Sequence, residues 1–194
     1  SRQAKLQFLF AQNANRQHLT DSGEAEVMEA LRISEEAGES ALVAQSLLLL
    51  TEVHESKGNL NEALKTASRA QVTSAELSDR KLEAQALIET AFLHAQRAEF
   101  TEAIRVVGRG LDLLKGSGDF NATAYAWNIK GRALGGRGDY SLALHAFQQS
   151  FEDAEKVGDR YLLAQIPNMR GWIHRELCDY EIALSHDQEG VHIA

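Results

Sequence analysis

The stretch Tyr125-Ala126-Trp127-Asn128-Ile129-Lys130-Gly131-Arg132-Ala133-Leu134-Gly135-Gly136-Arg137-Gly138-Asp139-Tyr140-Ser141-Leu142-Ala143-Leu144-His145-Ala146-Phe147 decides the fold. Gly138 stands just before Asp139, the order expected where one helix ends on a left-handed residue and the next begins at a cap. Gly131 lies before that turn and Ala143 after it. Two such small residues let a pair of antiparallel helices approach closely. The segment therefore reads as two helices, 120–137 and 140–156, folded against each other.

Working outward, the same pattern recurs every 40 residues. Asn59-Leu60, Glu99-Phe100, Asp139-Tyr140 and Asp179-Tyr180 keep that interval, as do Ala63, Ala103, Ala143 and Ala183. Further series are Gly38-Glu39, Ser78-Asp79, Gly118-Asp119 and Gly158-Asp159; Ala44, Ala84, Ala124 and Ala164; and Thr51, Ala91, Gly131 and Gly171. The last set is the expected counterpart, on the facing helix, of the alanines at 63, 103, 143 and 183. Leu60, Phe100, Tyr140 and Tyr180 are expected to plug the gap between neighbouring repeats. Asn59, Asp139 and Asp179 are expected to cap helices, Asn59 with Glu62 as a capping box. Gly58 and Gly138 precede two of these caps; Ala98 and Cys178 replace that glycine elsewhere.

The pattern predicts helix pairs over 41–57 with 60–76, 81–97 with 100–115, 120–137 with 140–156, and 160–177 with 180–193, after a degenerate pair over 2–17 and 23–37. In that first pair Leu6, Leu9 and Phe10, then Val27, Leu31 and Ile33, are expected to form buried stripes. Residues 1–194 are expected to be one array: 1–38 a degenerate repeat, 39–78, 79–118 and 119–158 full repeats, and 159–194 a truncated last one. Each pair buries its apolar face only against its neighbours, as in a solenoid. Pro167, the one proline, falls inside a predicted helix, which it deprives of a hydrogen bond to the carbonyl of Leu163. A bend that sets curvature is the plain reading of it.

Trp127, Gly131, Ala143 and Phe147 match the spacing of the tetratricopeptide repeat, W-x2-L-G-x2-Y followed by A-x3-F. Lys130 and Leu134 depart from it and the closing proline is absent. The usual repeat is about 34 residues, so this chain resembles the longer-helix variant seen in kinesin light chains, in the scaffold that orients mitotic spindles and in bacterial quorum-peptide receptors. The resemblance implies an all-α fold: an α-solenoid of about five antiparallel helix pairs wound as a right-handed superhelix. The segment Ile166-Pro167-Asn168-Met169-Arg170-Gly171-Trp172-Ile173-His174-Arg175-Glu176-Leu177 also resembles repeats of large bacterial signalling proteins, which join such arrays to an ATPase, a nucleotide cyclase or a DNA-binding domain.

Such arrays line a concave groove with the first helix of each pair. Helical spacing puts Tyr125, Asn128 and Arg132 on one stripe, continued by Gln165, Asn168, Trp172 and Arg175, and preceded by Gln85, Ile88, Phe92 and Gln96 and by Gln45, Leu48, Glu52 and Glu55. The candidate peptide-binding set is Phe92, Tyr125, Asn128, Arg132, Gln165, Asn168, Trp172 and Arg175. Asn128 and Asn168 share one repeat position, at which the resembled families clamp the backbone of an extended peptide. A carboxamide offers the donor and the acceptor that a peptide bond requires. Arg132 and Arg175 are expected to hold an acidic side chain or a terminal carboxylate, and Phe92, Tyr125 and Trp172 to supply apolar contact. The plain alternative is that both asparagines are solvated surface residues. Leu48 and Ile88 hold this position earlier in the chain, which confines the clamp to the C-terminal half.

The remaining chemistry argues for no enzyme, no cofactor and no metal. No nucleophile-and-base set is recognisable, and Gly135-Gly136-Arg137-Gly138 lacks the ending of a phosphate-binding loop. Gly116-Ser117-Gly118 reads as a repeat turn. His54, His94 and His174 recur at one repeat position, but on separate repeats whose helices stand about 8–10 Å apart, too far to share one ion. A net charge of -8 and the lack of a basic block argue against nucleic acid. No apolar run is long enough to span a membrane. Cys178 is the only cysteine, which fits a reducing compartment and a cytoplasmic protein. The start at Ser1 and the stop within an apparent helix suggest a piece of a longer protein.

The expected function is a scaffold that binds a protein or peptide in its groove. The alternatives are a regulatory or sensor domain of a multidomain bacterial signalling protein, and a self-association module that forms a homodimer through an exposed terminal repeat.

Overall fold

The computed structural model describes residues 3–5, 7–9 and 20–193. Residues 3–5 and 7–9 are helical, and the helices that follow are α1 (Thr20–Glu36), α2 (Ser40–Ser56), α3 (Leu60–Glu76), α4 (Arg80–Gln96), α5 (Phe100–Leu114), α6 (Phe120–Arg137), α7 (Tyr140–Val157), α8 (Arg160–Glu176) and α9 (Tyr180–Ile193). No strand occurs among the described residues. The helices meet the spans read from the 40-residue period to within a residue or so, except that α1 starts at Thr20.

Two compact units form, Ser1–Leu93 and His94–Ala194, and the division falls within α4. In the first, α2 packs against α1 and α3, around Val27, Ala30, Leu47, Leu50 and Val53. Ala63 and Ala67 of α3 make a second cluster with Leu93. In the second unit each helix from α5 to α9 packs on the next, and α6 also touches α8. Phe147, Ile166 and Ile173 are wholly buried at its centre.

The stripe of α1 is Val27, Ala30, Leu31 and Ser34, all buried at helical spacing, which leaves Ile33 only partly covered. The first helical stretch corrects one expectation. Leu9 is 58% exposed, because Ala4 is the buried residue there and Phe8, one turn on, is the side chain that reaches the core. Leu9 lies one residue, or about 100°, round the helix from Phe8. Leu6 and Phe10, expected on the same stripe, lie outside the described residues.

The turns follow one backbone rule. Ser78, Ala98 and Cys178 have positive φ (54°, 58° and 63°), as do Gly38, Gly58, Gly118, Gly138 and Gly158. The residue after most of these donates its N–H back across the helix end: Asn59 to His54 at 2.8 Å, Glu99 to His94 at 2.9 Å, Asp139 to Leu134 at 2.9 Å and Asp179 to His174 at 2.8 Å. This six-to-one bond around a left-handed residue is the Schellman motif, and it satisfies a carbonyl the helix would otherwise orphan.

The side-chain caps sit on the other turn from the one expected. Asn59 and Asp139 occupy N-cap positions but make no cap hydrogen bond, with ψ of 59° at each. Glu62 pairs with Lys65 at 2.6 Å in place of a capping box, and Asp139 accepts from Arg137 Nε at 2.5 Å. The carboxylate of Asp179 stands 3.5 Å from His174 Nδ1. Asp119 (ψ 75°) and Asp159 (ψ 89°) do cap, accepting from the N–H of Ala122 and of Leu162. Asp79 accepts from Lys81 and Leu82 N–H, both at 3.1 Å. The more extended ψ at Asp119 and Asp159 accompanies the cap bond, and the smaller ψ its loss.

Close packing follows the small-residue series. Ala63, Ala103, Ala143 and Ala183 are buried, as are Thr51 and Ala91. A Cβ on Gly131 would lie 2.6 Å from the Phe147 ring, and one on Gly171 would meet the Ala183 carbonyl oxygen at 3.1 Å. Thr51 and Thr66 hydroxyls bond at 2.8 Å across the equivalent approach of α2 and α3. Phe100 fills the predicted plug position, its ring 2.5 Å from where a Gly136 Cβ would stand. Tyr180, expected to do the same, is 66% exposed, since no described helix follows α9 to cover it. Pro167 is buried, and α8 continues through it.

A non-glycine residue held left-handed costs about 1–2 kcal/mol. Ala98→Gly and Cys178→Gly should each raise stability by roughly 0.5–1 kcal/mol, the gain being reduced by the greater freedom of unfolded glycine. Urea unfolding followed by circular dichroism tests this; an unchanged or lower midpoint for both variants would contradict the strain assigned to these turns.

Candidate functional site

Within the unit His94–Ala194, α6 and α8 are the first helices of successive pairs, and their contact brings part of the predicted stripe together. Asn128 Nδ2 donates to Gln165 Oε1 at 2.8 Å, and Gln165 Nε2 donates to the Tyr161 hydroxyl at 3.1 Å. A chain of carboxamide and phenol thus runs from one helix to the next. Asn128 is 2% exposed, and its Oδ1 is buried with no hydrogen-bond partner. Such an orphaned acceptor costs about 1–3 kcal/mol.

Asn168, at the same repeat position, is exposed. Its Nδ2 donates to the Ala164 carbonyl at 3.3 Å, and its Oδ1 would lie 2.7 Å from a Cβ on Gly190. Gly190 therefore leaves room for the amide between α8 and α9. A cavity of about 480 Å³ opens here, lined by Arg160, Tyr161, Ala164, Gln165, Asn168, Gly190 and Val191. The two asparagines differ because Gln165 of the next repeat covers the first, whereas no described helix follows to cover the second.

The other stripe residues are spread among different tasks. Tyr125 and Arg132 are partly buried on α6. Trp172 packs its ring where a Gly135 Cβ would stand (2.7 Å) and donates from Nε1 to Glu176 at 3.2 Å. Arg175 Nη1 pairs with Asp187 of α9 at 2.6 Å, so its charge is already engaged. Phe92 belongs to the first unit and is partly buried. The recurrent histidines serve their own turns and neighbours: His94 Nδ1 lies 2.6 Å from Glu99, and the His174 ring stacks on His186 at 5.5 Å. Among the described residues no group of three or more His, Cys, Asp or Glu side chains could hold a metal ion, and no helix is long and apolar enough to cross a membrane.

No family model matches this chain, and no curated protein matches it. Solved structures do. The apo form of RapI aligns with a TM-score of 0.82 at 12% identity, over 99% of this chain and 83% of that one. A putative kinesin light chain from Podosopora anserina, described as having nearly identical TPR-like repeats, aligns at 0.75 and 11%, over 98% and 94%. Residues 41 to the end of MamA from Desulfovibrio magneticus RS-1 align at 0.70 and 13%, over 100% and 96%. The chain has the TPR-like helical-repeat fold, an α-solenoid of antiparallel helix pairs.

Comparison of equivalent repeat positions exposes a residue outside the expected stripe. Glu89 stands 40 residues from Leu49 and from Ile129, and 80 from Met169. A carboxylate thus occupies a position that is otherwise aliphatic or thioether, a substitution visible in the sequence once that column is read. Burial, reinforced by the charges of Glu52 and Glu55, pushes the Glu89 carboxyl up to about 7. An acid raised in the folded state stabilises the fold most below its ordinary range, near 4.5, and that contribution is lost as pH rises through about 7. Glu89→Leu should therefore raise the melting temperature more at pH 8 than at pH 5. Equal shifts at the two pH values would show that Glu89 does not ionise in a buried setting.

Proposed function

We propose that the chain is a scaffold without catalytic activity that binds a protein or peptide segment along the α6–α8 face of the unit His94–Ala194. The observation that carries this reading is the open, amide-lined cavity beside Asn168. An exposed carboxamide, a second carboxamide from Gln165 and the phenol of Tyr161 border one space of about 480 Å³. These are neutral donors and acceptors, suited to a peptide backbone. Tyr161, 73% exposed, adds aromatic area. Asn128 contributes by holding Gln165, since its own amide is turned to that partner. Arg175 would engage an acidic group only by exchanging Asp187 for it.

Selection of binders from a random peptide display library, followed by calorimetry, tests the proposal. Asn168→Ala with Gln165→Ala should weaken a selected peptide by tenfold or more while the fold, read by circular dichroism, is kept. Peptides that bind wild type and double variant equally would remove this face from consideration.

A second reading, self-association, is favoured by α9. Tyr180, Ile182, Leu184 and Val191 are 66%, 48%, 58% and 77% exposed on one terminal helix. Tyr180, Leu184 and Val191 fall on one side of the helix, with Ile182 on the other, and an exposed apolar face of this kind marks an interface. Sedimentation velocity should then show a concentration-dependent dimer that Leu184→Glu with Val191→Glu abolishes. A monomer at all concentrations would leave peptide binding as the reading of the chain.

A further inference from the structure

The unit Ser1–Leu93 has its own cavity, of about 320 Å³, between α2 and α4, and Glu89 lines it. Among the described residues Glu89 accepts no hydrogen bond and pairs with no cation. Glu89 is partly exposed, yet its surroundings still disfavour the charged carboxylate, and the equivalent positions carry the apolar Leu49, Ile129 and Met169. Its surroundings are graded. Glu52 stands at the same cavity, and Glu55 adds a further negative charge from α2. Gln45 and Gln85 also line the cavity, and a carboxamide can present its oxygen as an acceptor. Leu48, Leu82 and Phe8 give it an apolar wall.

We infer that this cavity is a binding site for an alkylammonium or guanidinium group, with Glu89 as the counter-charge, the amide oxygens of Gln45 and Gln85 as acceptors, and the apolar wall holding the alkyl stem. A lysine or arginine side chain has this form, a charged head on a methylene stem. The volume suits one side chain or a small amine and is too small for a whole peptide. The site is separate from the α6–α8 face and does not depend on the reading of that face.

Among the described residues the charged groups that act on Glu89 are Glu52 and Glu55, and the other lining side chains do not titrate. Only the ionised carboxylate attracts a cation, so binding is linked to proton release from Glu89. The cation in turn draws its pKa down. With the carboxyl at about 7, the ionised fraction rises about tenfold, to roughly nine-tenths, between pH 6 and pH 8, which makes binding about tenfold tighter at the higher pH.

The test uses the whole 194-residue chain, with n-butylammonium and n-butylguanidinium as probes and N-acetylbutylamine as the neutral control. Side-chain carboxyl NMR follows Glu89 directly. The expected result is saturable binding of both cations, none of the control, about tenfold tighter affinity at pH 8 than at pH 6, and loss in Glu89→Gln. Comparison with a doubly blocked lysine identifies the source. Tighter binding than butylammonium assigns the group to a protein chain, and equal binding assigns it to a free amine; both support the site. Binding that is absent in wild type, that does not change with pH, or that survives Glu89→Gln would overturn it. The wild-type titration decides the matter even if the variant does not fold. Peptide affinity measured on the Asn168 and Gln165 variants is a separate readout, so failure of one proposal leaves the other standing.

Discussion

Everything in the structure depends on how closely the two helices of a pair approach. Gly131 has no room for a Cβ because the Phe147 ring occupies that space, and a Cβ on Gly171 would stand 3.1 Å from the Ala183 carbonyl oxygen and closer still to the Asp187 carboxylate. Packed interiors do not yield to an added methyl group without movement of a neighbour. Once this contact is fixed, the axial register of α6 on α7 and of α8 on α9 is fixed with it. The residues three positions earlier, Asn128 and Asn168, are then held beside the second helix of their own pairs. That is why Ser150 and Gly190, equivalent in the repeat, must be small: Ser150 bonds the Ala124 carbonyl at 2.6 Å, and Gly190 makes room for the Asn168 amide.

The turns were legible in the sequence because their constraint falls on the backbone. A left-handed residue before each new helix favours glycine, and where Ser78, Ala98 or Cys178 stands instead, the period still locates the turn. The small-residue contacts were legible for a similar reason, since lack of space leaves few residue types. The caps were not. Asp and Asn occur at both kinds of turn, and only a few tens of degrees in ψ decide which of them reach a helix N–H. Residue type is common to both outcomes, so the sequence could not separate them.

The candidate site was legible only in outline. Helical spacing placed Asn128 and Asn168 on one stripe, and they are on it, but one is buried and the other open. Spacing along a helix says nothing about whether the next helix covers a given residue. Gln165 does so for Asn128, and this single contact turns an expected surface clamp into an inter-helix hydrogen bond. Arg175 illustrates the same limit: its partner, Asp187, is twelve residues away on another helix. Glu89 lies off the polar stripe, and its signature is a different one, a polar residue in a repeat column that is otherwise apolar.

Both proposed sites therefore arise from one kind of event. At Asn128 and Asn168 a carboxamide replaces the aliphatic side chain of Leu48 and Ile88, the first holding Gln165 and the second lining the cavity, and at Glu89 a carboxylate replaces the apolar side chain of Leu49, Ile129 and Met169. Asn128 leaves its Oδ1 buried without a hydrogen-bond partner, and burial disfavours the ionised Glu89, so the fold loses stability by holding them. A repeat array can tolerate such losses because its stability is spread over many similar contacts, each made only with its neighbours. The departures from the repeat, more than its regular residues, are then where binding chemistry should be sought. Regular positions fix spacing and curvature in every unit alike, and only positions that break the pattern can give one stretch of the surface a preference that the next stretch lacks.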